Sequence, residues 1–242
     1  MGASSGMGRQ IALDLAASGA GVLAVARNEK RLQELQAFFP ERIETCILDV
    51  LEADQEAWED MLGGYVEKHG KIHGGVYTAG VSGTTALRMY DEDLAYRIFE
   101  TSCWGMIRFM QAAAKRKYAE QASSFVVFSS IAAYRGNKSM FAYSGAKAAV
   151  QAEVRSLAKE ICRDGHRINS ISPGWVATEL TKRFKEKIGT ERPQDVTDMY
   201  LLKEVGEPKD ISGAALFLLS DAAGWITGTD LVIDGGSLIG RH

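Results

Sequence analysis

The sequence predicts an α/β fold, a single doubly wound parallel sheet with helices on both faces, and three observations predict it. Short apolar runs alternate with helix-period segments along the whole chain. A glycine-rich turn, "MGASSGMG", opens directly into the first of those helical segments. The 242 residues contain no linker, internal repeat or low-complexity stretch, which suits one domain over 1–242.

The elements follow in order. "MGRQIALDLAASG" reads as a helix stopped at Gly19, and "GVLAVA" as a buried strand. "EKRLQELQAFF" is helical up to Pro40, and "RIETCILDV" is a strand. A helix around 53–68 leads to the strand "IHGGVYTAG"; helical spacing returns from Leu94 to Tyr118, before the strand "SSFVVFSS". A helix from Ala142 to Cys162 precedes the strand "RINSISPG". The helix "PKDISGAALFLLS" and the strand "DLVID" close the pattern. Segment 178–207, charged and holding Pro193, has no clear strand and is expected to act as a substrate loop or lid.

Composition excludes several classes. A formal charge of −3 with scattered lysines and arginines gives no electrostatic reason to expect nucleic acid. Cys46, Cys103 and Cys162 are odd in number and widely spaced, so a disulfide framework and a metal site are not expected; a reducing compartment, the cytoplasm, is. No apolar run reaches the ~18 residues of a membrane helix. "MGASSG" lacks the Ser or Thr that a myristoylation signal needs at Gly6.

Gly2, Gly6 and Gly8 are spaced as G-x-x-x-G-x-G. Before a helix, such a turn lets backbone N–H groups approach a dinucleotide pyrophosphate without a Cβ in the way. The end of the following strand usually carries an acid for the adenosine ribose diol. Here it carries Ala26 and then Arg27, whose guanidinium suits the 2′-phosphate of NADP as a charge-assisted fork. The expected cofactor is therefore NADP(H), preferred over NAD(H).

Tyr-x-x-x-Lys occurs twice, as Tyr134 with Lys138 and as Tyr143 with Lys147. Residues four apart face each other only on a helix. "YRGNK" has a turn composition, whereas "YSGAKAAVQAEVRSLAKEI" is helical, so Tyr143 and Lys147 form the candidate proton-transfer pair. An adjacent ammonium is expected to pull the tyrosine down from its ordinary value near ~10.

At this point the sequence resembles the classical short-chain dehydrogenase/reductase family, nearest its 3-oxoacyl-carrier-protein reductase-like branch. The likeness runs through "GASSGMG", "LDV" (48–50), "TAG" (78–80), Ser130 thirteen residues before Tyr143, "YSGAK", "SPGWVAT" (172–178) and the segment from "EPKD" to "IDGG". The resemblance implies a Rossmann-type sheet and assigns roles. Tyr143 would be the general acid in reduction. Lys147 would hold the nicotinamide ribose and lower the pKa of Tyr143, and Ser130 would hydrogen-bond the reacting carbonyl. Ser102 stands where the family has a water-holding asparagine, and Thr78 replaces the asparagine of an Asn-Ala-Gly slot, where it would brace the neighbouring strand. Cofactor contacts would come from Gly2, Ser4, Ser5, Gly6, Met7, Gly8, Arg27, Asp49, Val50, Ala79, Gly80, Tyr143, Lys147, Pro173, Gly174, Val176 and Thr178. Ser82, Ser130, Tyr134 and Trp175 would wall the substrate pocket. A homodimer or homotetramer built through the C-terminal helix and strand is implied as well.

By the same resemblance a central strand should precede the glycine turn, and Met1 stands at its last position. Its loss would strip two neighbouring strands of backbone partners, at ~1–3 kcal/mol for each buried unpaired group. Residues upstream of Met1 in the natural protein are therefore expected. The expected function is NADPH-dependent reduction of a small-molecule or acyl-carrier-bound ketone. The alternatives are oxidation of a secondary alcohol, sugar or steroid with NAD(P), and a catalytically silent NADP-binding sensor.

Overall fold

The computed structural model describes residues 1–179, 200–202 and 205–240. Most of the expected lid, 178–207, therefore lies outside the described residues. Among the described residues six strands, β1 (Val22–Ala26), β2 (Ile43–Ile47), β3 (Ile72–Tyr77), β4 (Ala119–Phe128), β5 (Arg167–Pro173) and β6 (Asp230–Ile233), pair in parallel. The connecting helices are α1 (Gly6–Ala17), α2 (Glu29–Gln36), α3 (Gln55–His69), α4 (Glu92–Phe99), α5 (Gly105–Ala113), α6 (Ala132–Arg135), α7 (Phe141–Ile161) and α8 (Pro208–Leu219). Parallel strands need such crossovers. Among the described residues, no helix is long and apolar enough to cross a membrane.

Helix ends follow local chemistry. Asn28, Asp54 and Asp91 accept the N–H of the residue three positions on, capping α2, α3 and α4. The single helix expected from Leu94 to Tyr118 is instead two helices separated by a π-helical turn over Glu100–Trp104. Its widened backbone carries Ser102, a place where such turns commonly serve a site.

The sheet itself departs from a continuous layer. It is split into a β2-β1 pair and a β3-β4-β5-β6 unit, with no strand between β1 and β3 among the described residues. The first residues of the chain bridge the split, Met1 on the β3 side and Gly2 on the β1 side. The Met1 amine donates to Val76 O at 2.7 Å, Met1 O accepts from Thr78 N, and Gly2 N donates to Val25 O. Beyond that bridge lies a cavity of about 830 Å³ between the facing edges, lined by residues such as Leu23, Ala24, Gly74 and Gly75. Helix residues close it from both faces, Ile11 on one side and Phe109 on the other.

Thr78 braces this bridge, its hydroxyl donating to Met1 O at 3.0 Å and to Gly2 O at 3.3 Å. The main core lies on the other side, where Phe125, Val127, Ile168, Met106 and Ile98 are buried between α4, α5, α7 and β3 to β5.

Candidate active site

The glycine turn starts at the end of the bridge. Gly2 and Gly6 adopt positive φ, +86° and +54°, a region that favours glycine. A Cβ on Gly8 would run into Gly2 O and Thr78 Oγ1, so the turn closes only with hydrogen there. Ser5 is the N-cap of α1, yet its side chain makes no capping bond, and the first turn carries no acid. The first N–H groups of α1 are thus left open to an anion, with Ser4 and Met7 half-buried around them.

The adenosine end is set by β1 and β2. Arg27 follows Ala26 at the strand's end and is 61% exposed; its Nη1 lies 3.4 Å from Asp49 Oδ2. Asp49 Oδ1 accepts the N–H of Leu51, which fixes the loop after β2. Val50 is buried behind it, its carbonyl held by Arg108 Nη2 at 3.2 Å.

The catalytic candidates converge beyond the ends of β4 and β5. The ladder continues past β4, with Ser129 N donating to Ile171 O and Ile131 N to Pro173 O, and this fixes Ser130 between them. Helix α7 brings Tyr143 and Lys147 onto one face, the Lys147 Nζ lying 5.8 Å from the centre of the Tyr143 ring. Ser130 hydrogen-bonds the Tyr143 phenol. Lys147 is 5% exposed and donates to Phe128 O at 2.8 Å, while Ser129 Oγ donates to its backbone carbonyl. Gly80 borders the ammonium, a Cβ there standing 3.5 Å from Nζ in ordinary contact. Ala79 lies beside Gly2, whose added Cβ would approach Ala79 N to 2.9 Å.

One electrostatic expectation is corrected. Burial raises the Tyr143 phenol above its ordinary value; the Ser130 hydrogen bond opposes this, and Lys147 is not among the causes. The ammonium is aimed at Phe128 O instead of the phenol. Its own burial brings Lys147 down to about 8. Ser102 is also buried, and its hydroxyl has no hydrogen-bond partner among the described residues.

The far wall is the loop after β5. Gly174 passes so close to Asp234 that a Cβ would lie 2.8 Å from its Cα. Trp175 N donates to the Tyr200 hydroxyl, and Val176 is bridged to Gly206. Thr178 faces the glycine turn, its Cγ2 being 3.2 Å from where a Gly6 Cβ would stand. Ser82 is half-buried after β3. Tyr134 is placed differently from a free pocket wall: its hydroxyl donates to Asp230 Oδ2 at 2.6 Å, and that hydrogen bond pushes its pKa up, with burial the larger cause, to about 12. Sequence reasoning missed Phe128 O, Tyr200 and Asp234, which position the site through backbone contacts that spacing does not encode. The buried donors, the open helix N-terminus and a turn that tolerates no Cβ fit a nicotinamide dinucleotide laid from Arg27 to Tyr143.

The site thus defines a dinucleotide-binding α/β protein with a Ser-Tyr-Lys cluster whose lysine is buried, and comparison with known proteins agrees. A family model described as enoyl-(acyl carrier protein) reductase matches residues 2–237. The 3-oxoacyl-[acyl-carrier-protein] reductase of Haemophilus influenzae is 31% identical over 97% of this chain and 95% of its own. The L-xylulose reductase of Caenorhabditis elegans is 33% identical over 97% and 92%. A 7α-hydroxysteroid dehydrogenase solved with NADH and a 7-oxo bile acid superposes with a TM-score of 0.88 at 26% identity, covering 98% of this chain and 91% of that one. The chain belongs to the short-chain dehydrogenase/reductase family. It is an oxidoreductase of that family, acting on carbonyl or alcohol groups.

Proposed function

We propose that the protein is an NADPH-dependent reductase of a ketone or 3-oxoacyl substrate, free or carried on an acyl carrier protein. The observation that carries this reading is the convergence of Ser130, Tyr143 and Lys147 at the ends of β4 and β5, beside the glycine turn. Bound there, the nicotinamide supplies the hydride.

The chain's own groups supply the rest. The half-buried, protonated phenol of Tyr143 is suited to donate a proton to the carbonyl oxygen as negative charge builds there. The Ser130 hydroxyl hydrogen-bonds the same oxygen and holds it toward Tyr143. Lys147, still mostly charged at neutral pH, offers its remaining N–H bonds to ribose hydroxyls near Gly80. Ser102, buried and without a partner, offers a hydroxyl to a relay water. Pro173, Gly174, Val176 and Thr178 bound the nicotinamide end; Trp175 and Ser82 wall the substrate.

Preference for NADPH over NADH rests on Arg27 and the absence of an acid at Ala26. Trp225, fully exposed, and Phe217, 41% exposed, lie on the C-terminal elements through which a homodimer or homotetramer would form. The site's place is the cytoplasm, consistent with three free cysteines.

The unpartnered Ser102 hydroxyl favours one second reading, an NADP-binding protein without turnover. NADPH oxidation measured over β-ketoesters and diketones separates the two. Turnover on at least one ketone supports the reductase. Tight NADPH binding with no turnover overturns it, and faster NAD-linked oxidation of sugars or steroids would reassign the direction.

A further inference from the structure

Across the mouth of the cofactor groove, Arg31 and Glu179 are joined although 148 residues apart. Arg31 sits in the first turn of α2, the helix that begins two residues after Arg27. The Asn28 side chain accepts its backbone N–H at 3.0 Å, so the direction in which the guanidinium leaves the helix is fixed by the cap. Its Nη1 meets Glu179 Oε2 at 2.7 Å. Glu179 directly follows Thr178, the residue packed over Gly6. The ion pair therefore links the wall that carries Arg27 to the loop on the opposite wall.

We propose that Arg31 is a second reader of the adenosine 2′-phosphate, occupied by Glu179 until NADPH arrives, so that Glu179 sets how strongly NADPH is preferred over NADH. This rests on the dinucleotide orientation of the proposed function, with the adenosine end at Arg27. The side chains are 36% and 51% exposed, and an ion pair that wet is worth little and is easily exchanged. A phosphate dianion offers a guanidinium two charge-assisted bonds in place of one. Arg27 is in the same condition, 61% exposed and held loosely by Asp49 at 3.4 Å. Two guanidinium groups, each resting on a carboxylate, thus flank the end of β1, while Lys30 adds charge to the same turn. NADH, with a 2′-hydroxyl in place of the phosphate, gives Arg31 no reason to leave Glu179.

The test is the dissociation constant of NADPH and of NADH for the parent, Arg31→Gln, Glu179→Gln and the double variant, with 2′,5′-ADP and 5′-AMP as competing probes. Arg31→Gln should weaken NADPH and 2′,5′-ADP about tenfold and leave NADH and 5′-AMP within about twofold. Glu179→Gln should tighten NADPH roughly threefold without changing NADH, and the double variant should match Arg31→Gln. Equal changes for both cofactors would overturn the proposal and make the pair a strap over the groove. No change in either would overturn it too, leaving a surface ion pair. Each comparison is between variant and parent, so it decides the role of Arg31 whatever the parent prefers. Failure of the NADPH reading itself shows separately, as a parent that prefers NADH and an Arg27→Ala variant that weakens both cofactors alike.

Discussion

The two halves of this sheet solve the same problem with unequal means. From β3 to β6 each neighbouring pair of strands shares a ladder, and the ladder of β4 on β5 runs on through Ser129 and Ile131 to set Ser130. Between β1 and β3 the short run Met1–Ala3 spans the gap, and a cavity of about 830 Å³ lies behind it. The catalytic candidates all hang from the continuous half, and the glycine turn hangs from the bridge. Chemistry should therefore depend on side chains at β4 and α7, while stability and cofactor affinity should depend on the seam.

Removing the Lys147 ammonium tests the continuous half and carries the largest expected effect. Lys147→Met keeps the buried stem but deletes the group aimed at Phe128 O, and kcat/KM should fall about 10²- to 10⁴-fold with Tm nearly unchanged. A fall below threefold would mean that the lysine is only structural. At the cofactor's far end, Arg27→Ala should weaken NADPH about tenfold and NADH less than twofold, read from dissociation constants.

The seam is tested by filling it. Five apolar residues, Val-Ile-Val-Ile-Val, fused ahead of Met1 match the five-residue edge of β1 and should pair with both facing strands. Tm should rise by roughly 10 °C, and amides of Ala24 and Gly75 should gain protection from exchange. The same length of Gly and Ser should do neither; equal gains from both would show that the edges are not the receiving surface.

Most elements were legible because period and punctuation are local. The strand "GVLAVA" became β1, and the stop at Gly19 and the helix over Tyr143 and Lys147 were found where the residues put them. Tyr143 and Lys147 were readable as a pair because four residues on a helix fix their proximity, and Thr78 braces Met1 as its hydroxyl suggested. What was not legible depends on partners distant in sequence. Tyr134 is tied to Asp230, 96 residues on, and the Lys147 ammonium is turned toward a backbone carbonyl rather than the phenol. The π-turn at Glu100–Trp104 was hidden because its residues keep helical character on both sides.

The central claim is that Tyr143 delivers the proton. It is tested most directly by turnover of NADPH with a responsive ketone in Tyr143→Phe and Tyr134→Phe, alongside NADPH binding. The account predicts a loss of about 10²-fold or more for Tyr143→Phe with NADPH still bound, and less than about threefold for Tyr134→Phe. Equal losses in the two variants, or full turnover without the Tyr143 hydroxyl, would contradict it.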